Sequence, residues 1–376
     1  MIFRYPDYYD EFQCIADRCK DTCCAGWEID IDDASYEAYQ KVPGEFGKRL
    51  MANIKEYELE DGEMYEKHGF ILKENKRCPF LDEIGLCDLY KELGEDALCE
   101  VCTDTPRNYL EFGGQRELSL SVSCPEAARL VLAKNAKTTF VEKELNEEFP
   151  FEEDDEEQRF AKDIRMAREQ AIRILQNREV PTEICLQEFL DFSEEIQQQW
   201  NQGEMFPKEQ QRYDQYELFL KRMVLFTSLE SISEEWETIL QELQTTFVEN
   251  KDGKDCYEAA RQKLKKIWSE PERCFEMEQL AVYDAFLCLA RCVDDYDFLG
   301  KAKFVVVSLL MMEDMAAGLL AVKNRFTKED AEDVARIYAK EVEHSQENMD
   351  AIYEEFLFED GYDVENLKRA LLFTQP

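Results

Sequence analysis

The sequence predicts a mainly α-helical protein in which a small, cysteine-rich, metal-binding N-terminal domain with short hairpins precedes an all-α domain. Nine of the 14 cysteines lie between Cys14 and Cys124. After residue 150, apolar residues recur at the three- and four-residue spacing of helices, and no alternating strand pattern appears. The acidic stretch 147–157 separates the two patterns. We therefore predict a boundary near residue 145, which divides the chain into domains 1–145 and 146–376.

Charge and length exclude one class of partner. The 376 residues suffice for two domains, and 45 Lys+Arg against 84 Asp+Glu give a net charge of -39. Binding to a phosphate backbone requires clustered cations, so we expect no nucleic-acid partner. The charge fits either a cationic partner or a solvated acidic surface.

The N-terminal segment and the longest apolar stretch predict the location of the protein. The first seven residues lack the succession of basic, apolar and small residues that forms a secretory signal. Residues 304–320 are apolar but contain Glu313 and Asp314, which a bilayer core would penalise by several kcal/mol. We expect a cytoplasmic protein without a membrane span.

The cysteines predict a metal site, because cytoplasmic thiols are kept reduced and rarely form a disulfide framework. Thiolates two to four residues apart reach one metal or cluster from a single loop. An all-sulfur set fits an iron–sulfur cluster, which we favour, or Zn²⁺. Nine thiols exceed one four-ligand site, and the spacing leaves open whether there is one site or two. The candidate ligands are Cys14, Cys19, Cys23, Cys24, Cys78, Cys87, Cys99, Cys102 and Cys124.

Further polar and aromatic residues each have a functional and a structural interpretation. His68, between Lys67 and Gly69, is expected in an exposed loop rather than as a ligand. Trp27, Tyr36 and Tyr39 either form an aromatic wall for a cation or pack in a core. Arg107 and Tyr109 either hold a carboxylate or cluster sulfur, or serve the fold. His344 lies in a predicted helix, where it is either solvated or handles protons.

Helical periodicity continues to the end of the chain. Thr327 is predicted to N-cap a helix in a capping-box-like arrangement with Asp330. The other cysteines, Cys185, Cys256, Cys274, Cys288 and Cys292, are expected to pack as small core residues on these helices. The predicted helices include 125–131, 231–248, 255–268, 274–293, 298–323 and 328–357.

Familiar cofactor motifs are absent. A radical S-adenosylmethionine site needs Cys-x3-Cys-x2-Cys, but the residue at the third position after Cys19 and Cys23 is Gly26. Neither a dinucleotide-binding glycine motif nor a P-loop appears. The catalytic residues and the cofactor-binding residues therefore stay unassigned at this point.

Three segments of the N-terminal part form a familiar pattern: "FQCIADRCKDTCCAGWEIDIDDASYEAY", "CPFLDEIGLCDLYKELGEDALCEVCTDTPRNY" and "ELSLSVSCPEAARLVL". This pattern resembles the flagellin lysine-N-methylase family, which overlaps a broader group of cysteine-cluster proteins described as zinc or iron chelators. The resemblance is dense over residues 5–131 and looser afterwards, apart from "YAKEVEHSQENMDAIYEEFLF".

The resemblance implies an enzyme that methylates lysine side chains of flagellin, or of a similar lysine-bearing protein, with S-adenosylmethionine. It also implies an iron–sulfur cluster, of the [4Fe–4S] type, held by the N-terminal cysteines. Two alternatives stay open. The cysteine domain is either part of a non-catalytic interaction module that binds zinc or an iron–sulfur cluster, or part of a redox sensor in which cluster loss changes the helical half.

Overall fold

The computed structural model describes residues 1–57, 67–74, 76–145, 149, 153–202 and 211–372. The fold is mainly helical, as predicted, with short strands confined to the first 144 residues of the described chain. The strands are β1 (Ile2–Pro6), β2 (Asp30–Ile31), β3 (Ile54–Glu56), β4 (His68–Phe70), β5 (Arg107–Phe112), β6 (Gln115–Leu120) and β7 (Phe140–Glu144).

The first five α-helices lie between the strands along the chain, and the others follow the last strand. The α-helices are α1 (Asp33–Tyr39), α2 (Gly44–Met51), α3 (Asp88–Leu93), α4 (Glu100–Asp104), α5 (Pro125–Leu132), α6 (Asp155–Leu175), α7 (Thr182–Trp200), α8 (Gln215–Ser228), α9 (Glu234–Leu243), α10 (Gly253–Ile267), α11 (Glu276–Cys288), α12 (Phe298–Lys323), α13 (Lys328–Val342), α14 (Gln346–Phe358) and α15 (Val364–Leu371). Single 3₁₀ turns lie at Tyr9–Glu11, Ala16–Arg18, Glu95–Ala97, Leu289–Val293 and Asp360–Tyr362, and a π turn at Gln244–Val248.

The chain forms two compact units. The cysteine unit comprises Gln13–Asn108 and Cys124–Glu126, and the helical unit comprises Met1–Phe12, Tyr109–Ser123 and Ala127–Pro376. The N-terminal segment belongs to the helical unit because β1 pairs with β6 and β7. The predicted division into 1–145 and 146–376 stays a prediction, and part of the acidic stretch that suggested it lies outside the described residues.

The helical unit contains a four-stranded sheet in the order β5-β6-β1-β7. Strand β1 runs parallel to β6 and antiparallel to β7. Gly113 and Gly114 connect β5 to β6 with φ of 58° and 73°, a left-handed conformation that glycine adopts without steric cost. The strands β5 and β6 thus form one of the short hairpins predicted for the N-terminal part of the chain.

Helix α12 is the central helix of the helical unit. It spans the predicted residues 298–323, is apolar around its whole circumference, and contacts α7, α9, α10, α11 and α13. By length and mean hydropathy alone it would also qualify as a membrane span, but 83% of its most apolar window is buried inside the fold. The central helix of a globular protein can have the same composition. This helix is therefore only weak evidence for a membrane span.

Two acidic residues of α12 are neutralised by ion pairs. Asp314 accepts hydrogen bonds from the Arg222 guanidinium at 2.7 and 3.1 Å and from the Tyr257 hydroxyl at 2.7 Å. Glu313 accepts from Arg261 at 2.8 Å. These pairs allow a nearly all-apolar helix to bury both carboxylates.

The other predicted helices are confirmed with one exception. Thr327 caps α13, and Asp330 completes the capping box. The single helix predicted over 328–357 is wrong, because α13 ends at Val342 and α14 begins at Gln346. Ser345 is the N-cap of α14, because its hydroxyl accepts a hydrogen bond from the Asn348 backbone N–H.

Candidate functional site

All nine predicted metal ligands lie in the cysteine unit. Each of them is a free thiol rather than half of a disulfide. The second group, Cys185, Cys256, Cys274, Cys288 and Cys292, lies in the helical unit. Cys185, Cys288 and Cys292 are buried, as expected of core residues, whereas Cys256 and Cys274 are only half-buried.

Backbone hydrogen bonds bring three cysteine segments together. The Cys78 N–H donates to the Cys24 carbonyl at 2.8 Å, and Ala25 pairs with Arg77 in an antiparallel bridge. A second antiparallel bridge joins Leu81 to Cys87. Cys24, Cys78 and Cys87 therefore stand on adjoining stretches of backbone.

Helix α4 presents two further thiols. Cys99 precedes its first residue, and the Cys102 N–H donates to the Cys99 carbonyl at 3.0 Å. Asp32 holds the start of α4, since one carboxylate oxygen accepts from the Glu100 N–H at 2.9 Å while the other caps α1. Both helix starts are thereby fixed by one side chain.

Five of the nine cysteines belong to the core of the cysteine unit. Cys78 and Cys99 are buried among residues such as Ile31, Leu50 and Phe80, and three partly buried thiols, of Cys24, Cys87 and Cys102, pack against that core. The other four lie nearer the surface: Cys14 and Cys23 are exposed, and Cys19 and Cys124 are half-buried.

Hydrogen bonds between neighbouring thiols favour the thiolate on one sulfur of each pair. A hydrogen bond from Cys23 lowers the pKa of Cys24 to about 7, and a hydrogen bond from Cys102 lowers the pKa of Cys99. Burial raises the pKa of Cys78 to about 12. Thiolates are the form that binds metals, so the two paired sulfurs are the most readily available ligands.

The donor chemistry of this unit suits a soft metal or an iron–sulfur cluster. Thiolates are ligands of both, and the five core thiols lie in or against one apolar core. Within the described residues no three His, Cys, Asp or Glu side chains already meet in the arrangement of a metal site. The nine-cysteine ligand set therefore stays a prediction.

The aromatic residues near the first cysteines mostly serve the core. Tyr39 is 1% exposed and donates from its hydroxyl to the Ala97 carbonyl at 2.9 Å. The prediction of an exposed loop at His68 is wrong: this residue lies in β4, is buried, and stacks on Tyr36 with ring centroids 3.5 Å apart. Arg107 donates to the Thr103 carbonyl, in keeping with its structural interpretation.

The helical unit contains a cavity of about 450 Å³, a size typical of small-molecule sites. Its wall includes Trp268 and Phe275. Two ion pairs lie within the wall, Arg178 with Glu278 at 2.8 Å and Lys265 with Glu183 at 3.0 Å. The other two charged residues of the wall pair with residues outside it, Arg273 with Glu276 and Glu313 with Arg261. These charged side chains are already engaged in ion pairs and are not available to bind a charged cofactor. We therefore assign no cofactor to the cavity.

Sequence reasoning missed a second constellation in the helical unit, the acid–tyrosine cluster of Tyr8, Tyr283, Asp284 and Glu343. The Tyr283 hydroxyl donates to Glu343 at 2.7 Å and accepts from the Val122 backbone N–H at 3.2 Å. Tyr8, Tyr283 and Asp284 are at most 3% exposed, while Glu343 is half-buried. The sequence feature that could have indicated this cluster is Asp284, a single acidic residue inside the apolar run of α11.

Both carboxyl groups of the cluster have raised pKa values. Burial, reinforced by the charge of Glu343, raises the pKa of Asp284 well above its usual range. Burial also raises the pKa of Glu343 to about 7, although the hydrogen bond from Tyr283 and the charge of Arg291 lower it. Such shifted groups concentrate at functional sites.

His344 borders the cluster. It lies in the turn after α13 rather than inside a helix, and the residue as a whole is exposed. Its Nε2 atom is 3.0 Å from the Ser121 Oγ and 2.8 Å from the Ser123 Oγ. These two contacts fix the ring, so His344 holds the turn that carries Glu343.

The fold and the candidate sites define a mainly helical protein with a thiol-rich unit and a buried acid–tyrosine cluster. The family model of the FliB lysine N-methylase C-terminal domain matches residues 168–373. The chain belongs to the FliB lysine N-methylase family, as its sequence segments indicated.

Curated relatives match a shorter part of the chain. The lysine-N-methylases of Salmonella choleraesuis (strain SC-B67) and Salmonella typhimurium (strain LT2) are each 29% identical over 140 residues, which cover 34% of this chain and 31% of the relative. The flagellar biosynthetic protein FliU of Salmonella muenchen is 29% identical over 133 residues, 34% of this chain and 75% of the relative. The match thus spans about a third of the length of the two lysine-N-methylases. No solved structure matches the chain.

Proposed function

We propose that this protein is an S-adenosylmethionine-dependent lysine N-methyltransferase that acts on flagellin or a similar lysine-bearing protein. Membership of the lysine N-methylase family is the observation that carries the proposal. The matched residues 168–373 include Tyr283, Asp284 and Glu343 of the acid–tyrosine cluster. The proposed reaction takes place in the cytoplasm, where the thiols stay reduced.

The acid–tyrosine cluster suits the charge of both reactants. A lysine ammonium and a methyl sulfonium are cations, and the cluster offers two carboxylates and two aromatic rings. The Asp284 Oδ2 atom is buried without a hydrogen-bond partner among the described residues, which leaves an acceptor for a bound cation. When bound, S-adenosylmethionine supplies the electrophilic methyl group.

The cysteine unit is proposed to hold an iron–sulfur cluster of the [4Fe–4S] type. The four ligands are proposed to come from the five core thiols of Cys24, Cys78, Cys87, Cys99 and Cys102 and to include Cys78 and Cys102, because these thiols share one core. Binding there links the cluster to folding, since the ligands come from segments far apart in sequence.

The surface charge fits a cationic substrate. A net charge of -39 attracts a lysine-bearing surface over long range and steers its approach. Raising the ionic strength should therefore slow association with the substrate. This dependence would not arise for a neutral partner.

Incubating anaerobically purified protein with flagellin and S-adenosylmethionine tests the proposed function. We expect peptide mass spectrometry to find methylated lysines only in the complete mixture. Matched samples omit the methyl donor or replace it by S-adenosylhomocysteine. Unmodified lysines in the complete mixture, with protein whose metal content and fold are verified, would overturn the proposal.

A further inference from the structure

The four members of the acid–tyrosine cluster come from three distant parts of the helical unit. Tyr8 follows β1, Tyr283 and Asp284 are neighbours on α11, and Glu343 follows the last residue of α13. The hydroxyl of Tyr283 is oriented by the Val122 N–H, so its proton points to Glu343. The hydrogen bond therefore fixes the position of the Glu343 carboxylate.

Asp284 has an unfulfilled hydrogen-bonding requirement. Its side chain is 98% buried, and its Oδ2 atom meets no partner in the described part of the chain. An ionised carboxylate in such a place costs several kcal/mol unless a cation accompanies it. The nearby groups Tyr8, Tyr338 and Cys288 are neutral near pH 7, because burial, before the charges of neighbouring acids, raises their pKa.

Glu343 differs from Asp284 in access and in surroundings. Glu343 is half-buried, whereas Asp284 is 2% exposed. Its backbone N–H caps α13, which places it at the end of the helix where the macrodipole favours positive charge. The charged groups that act on the cluster are Asp7, which acts on Tyr8, and Arg291, which acts on Glu343, while Lys340 acts on the adjacent His344.

We propose that the acid–tyrosine cluster is the subsite for the substrate's lysine side chain, in which Asp284 stabilises the ammonium and Glu343 removes its proton. This inference rests on the proposed function and specifies its chemistry. Glu343 rather than Asp284 is the proton acceptor because it is the less buried carboxylate and is oriented by the Tyr283 hydroxyl. Asp284, deeper in the fold, provides the countercharge.

The proposed step is balanced as follows. The lysine ammonium gives one proton to the Glu343 carboxylate, which leaves a neutral amine and a neutral carboxylic acid. The amine's lone pair then attacks the methyl carbon of a methyl sulfonium donor. A C–N bond forms while the C–S bond breaks, and the electron pair of that bond stays on sulfur. Glu343 returns its proton to solvent.

The Glu343→Gln variant tests the proton transfer. The amide keeps the shape of the side chain and an oxygen that accepts from Tyr283, but it cannot take a proton. We expect kcat with flagellin to fall about 10²–10⁴-fold near pH 7, because that is the usual contribution of a general base. In the wild type, the rate should rise with pH and level off above about pH 7, the pKa of Glu343. In the variant this bend should be lost.

The matched control is Glu354→Gln on α14, which removes an exposed glutamate outside the cluster. It should keep both the rate and the pH profile. Circular dichroism and thermal unfolding establish that each variant is folded. A folded Glu343→Gln protein with the wild-type pH profile would overturn the inference. A tenfold loss of S-adenosylmethionine affinity with an unchanged pH profile would also overturn it, because the cluster would then bind the methyl sulfonium rather than the lysine.

A binding measurement separates this inference from the proposed function. Fluorescence anisotropy compares a flagellin peptide that contains lysine with the same peptide carrying norleucine. We expect at least about tenfold tighter binding of the lysine peptide, and loss of that preference in Asp284→Asn. A preference without methyl transfer would overturn the proposed function alone. Methyl transfer with equal binding of both peptides by wild type and Asp284→Asn would overturn the lysine subsite alone.

Discussion

Replacing Arg222 by Met is expected to lower the free energy of unfolding by about 3–5 kcal/mol. The side chains of Arg222 and Asp314 are 3% and 1% exposed, so the substitution leaves a buried carboxylate without its cation. The Tyr257 hydroxyl would remain as a neutral donor, which does not compensate for the charge. Urea unfolding followed by circular dichroism measures the loss.

Two further variants establish the cause of this loss. Lys254→Met removes one side of the exposed Lys254–Asp214 pair and should change stability by no more than about 1 kcal/mol. The double variant Arg222→Met with Asp314→Leu should recover most of the loss, since apolar residues often replace a buried pair without cost. Equal effects of Arg222→Met and Lys254→Met would contradict the account of the α12 core.

Serine at Cys78 or Cys102 is expected to abolish metal binding by the cysteine unit. If one [4Fe–4S] cluster is bound, anaerobically purified wild type should be brown and contain about four iron atoms per chain. Each serine variant removes one thiolate from the shared core, so iron should fall to background and the unit should lose the stability that binding contributes. Metal analysis and visible absorption measure the iron content and the cluster in the wild type and in each serine variant.

Cys274→Ser is the matched control, because Cys274 is a half-buried thiol of the helical unit. It should leave the metal content unchanged. Serine at the outer residues Cys14 and Cys23 distinguishes one site from two, since a second cluster would lose its ligands there. A colourless wild-type protein with stoichiometric zinc would contradict the iron assignment and favour the interaction-module alternative.

Local sequence patterns predicted the helices well. The run from Phe298 to Lys323 is mostly apolar, so its composition is that of a buried helix. The Thr327–Asp330 pair predicted the start of α13 because capping uses contacts three residues apart. The end of the same helix was missed, because Asn348 joins the new helix start to the Glu341 carbonyl and to Glu230, a contact distant in sequence.

Long-range pairing was beyond sequence reasoning. The five residues of β1 give no clear strand pattern by themselves, and their partners in β7 lie more than a hundred positions further along the chain. His68 is buried because β4 pairs with β2 and β3 on both sides, which its neighbours Lys67 and Gly69 did not indicate.

The two candidate sites differ in how far the sequence predicted them. The cysteines were identifiable because thiols close in sequence have a shared chemistry, and all nine lie in one unit. Tyr8, Tyr283 and Glu343 have no motif, and only the fold brings them together. Their chemistry depends on burial, which raises the pKa of Glu343 to about 7 and which a linear sequence does not specify.

The intact mass of flagellin made in cells with and without this protein tests the central claim most directly. Co-expression should add whole methyl increments to flagellin, located on lysines by peptide fragmentation, and the Glu343→Gln protein should add few or none. Flagellin of identical mass in both cells, at equal levels of folded and metal-loaded protein, would contradict the assignment as a lysine N-methyltransferase of flagellin.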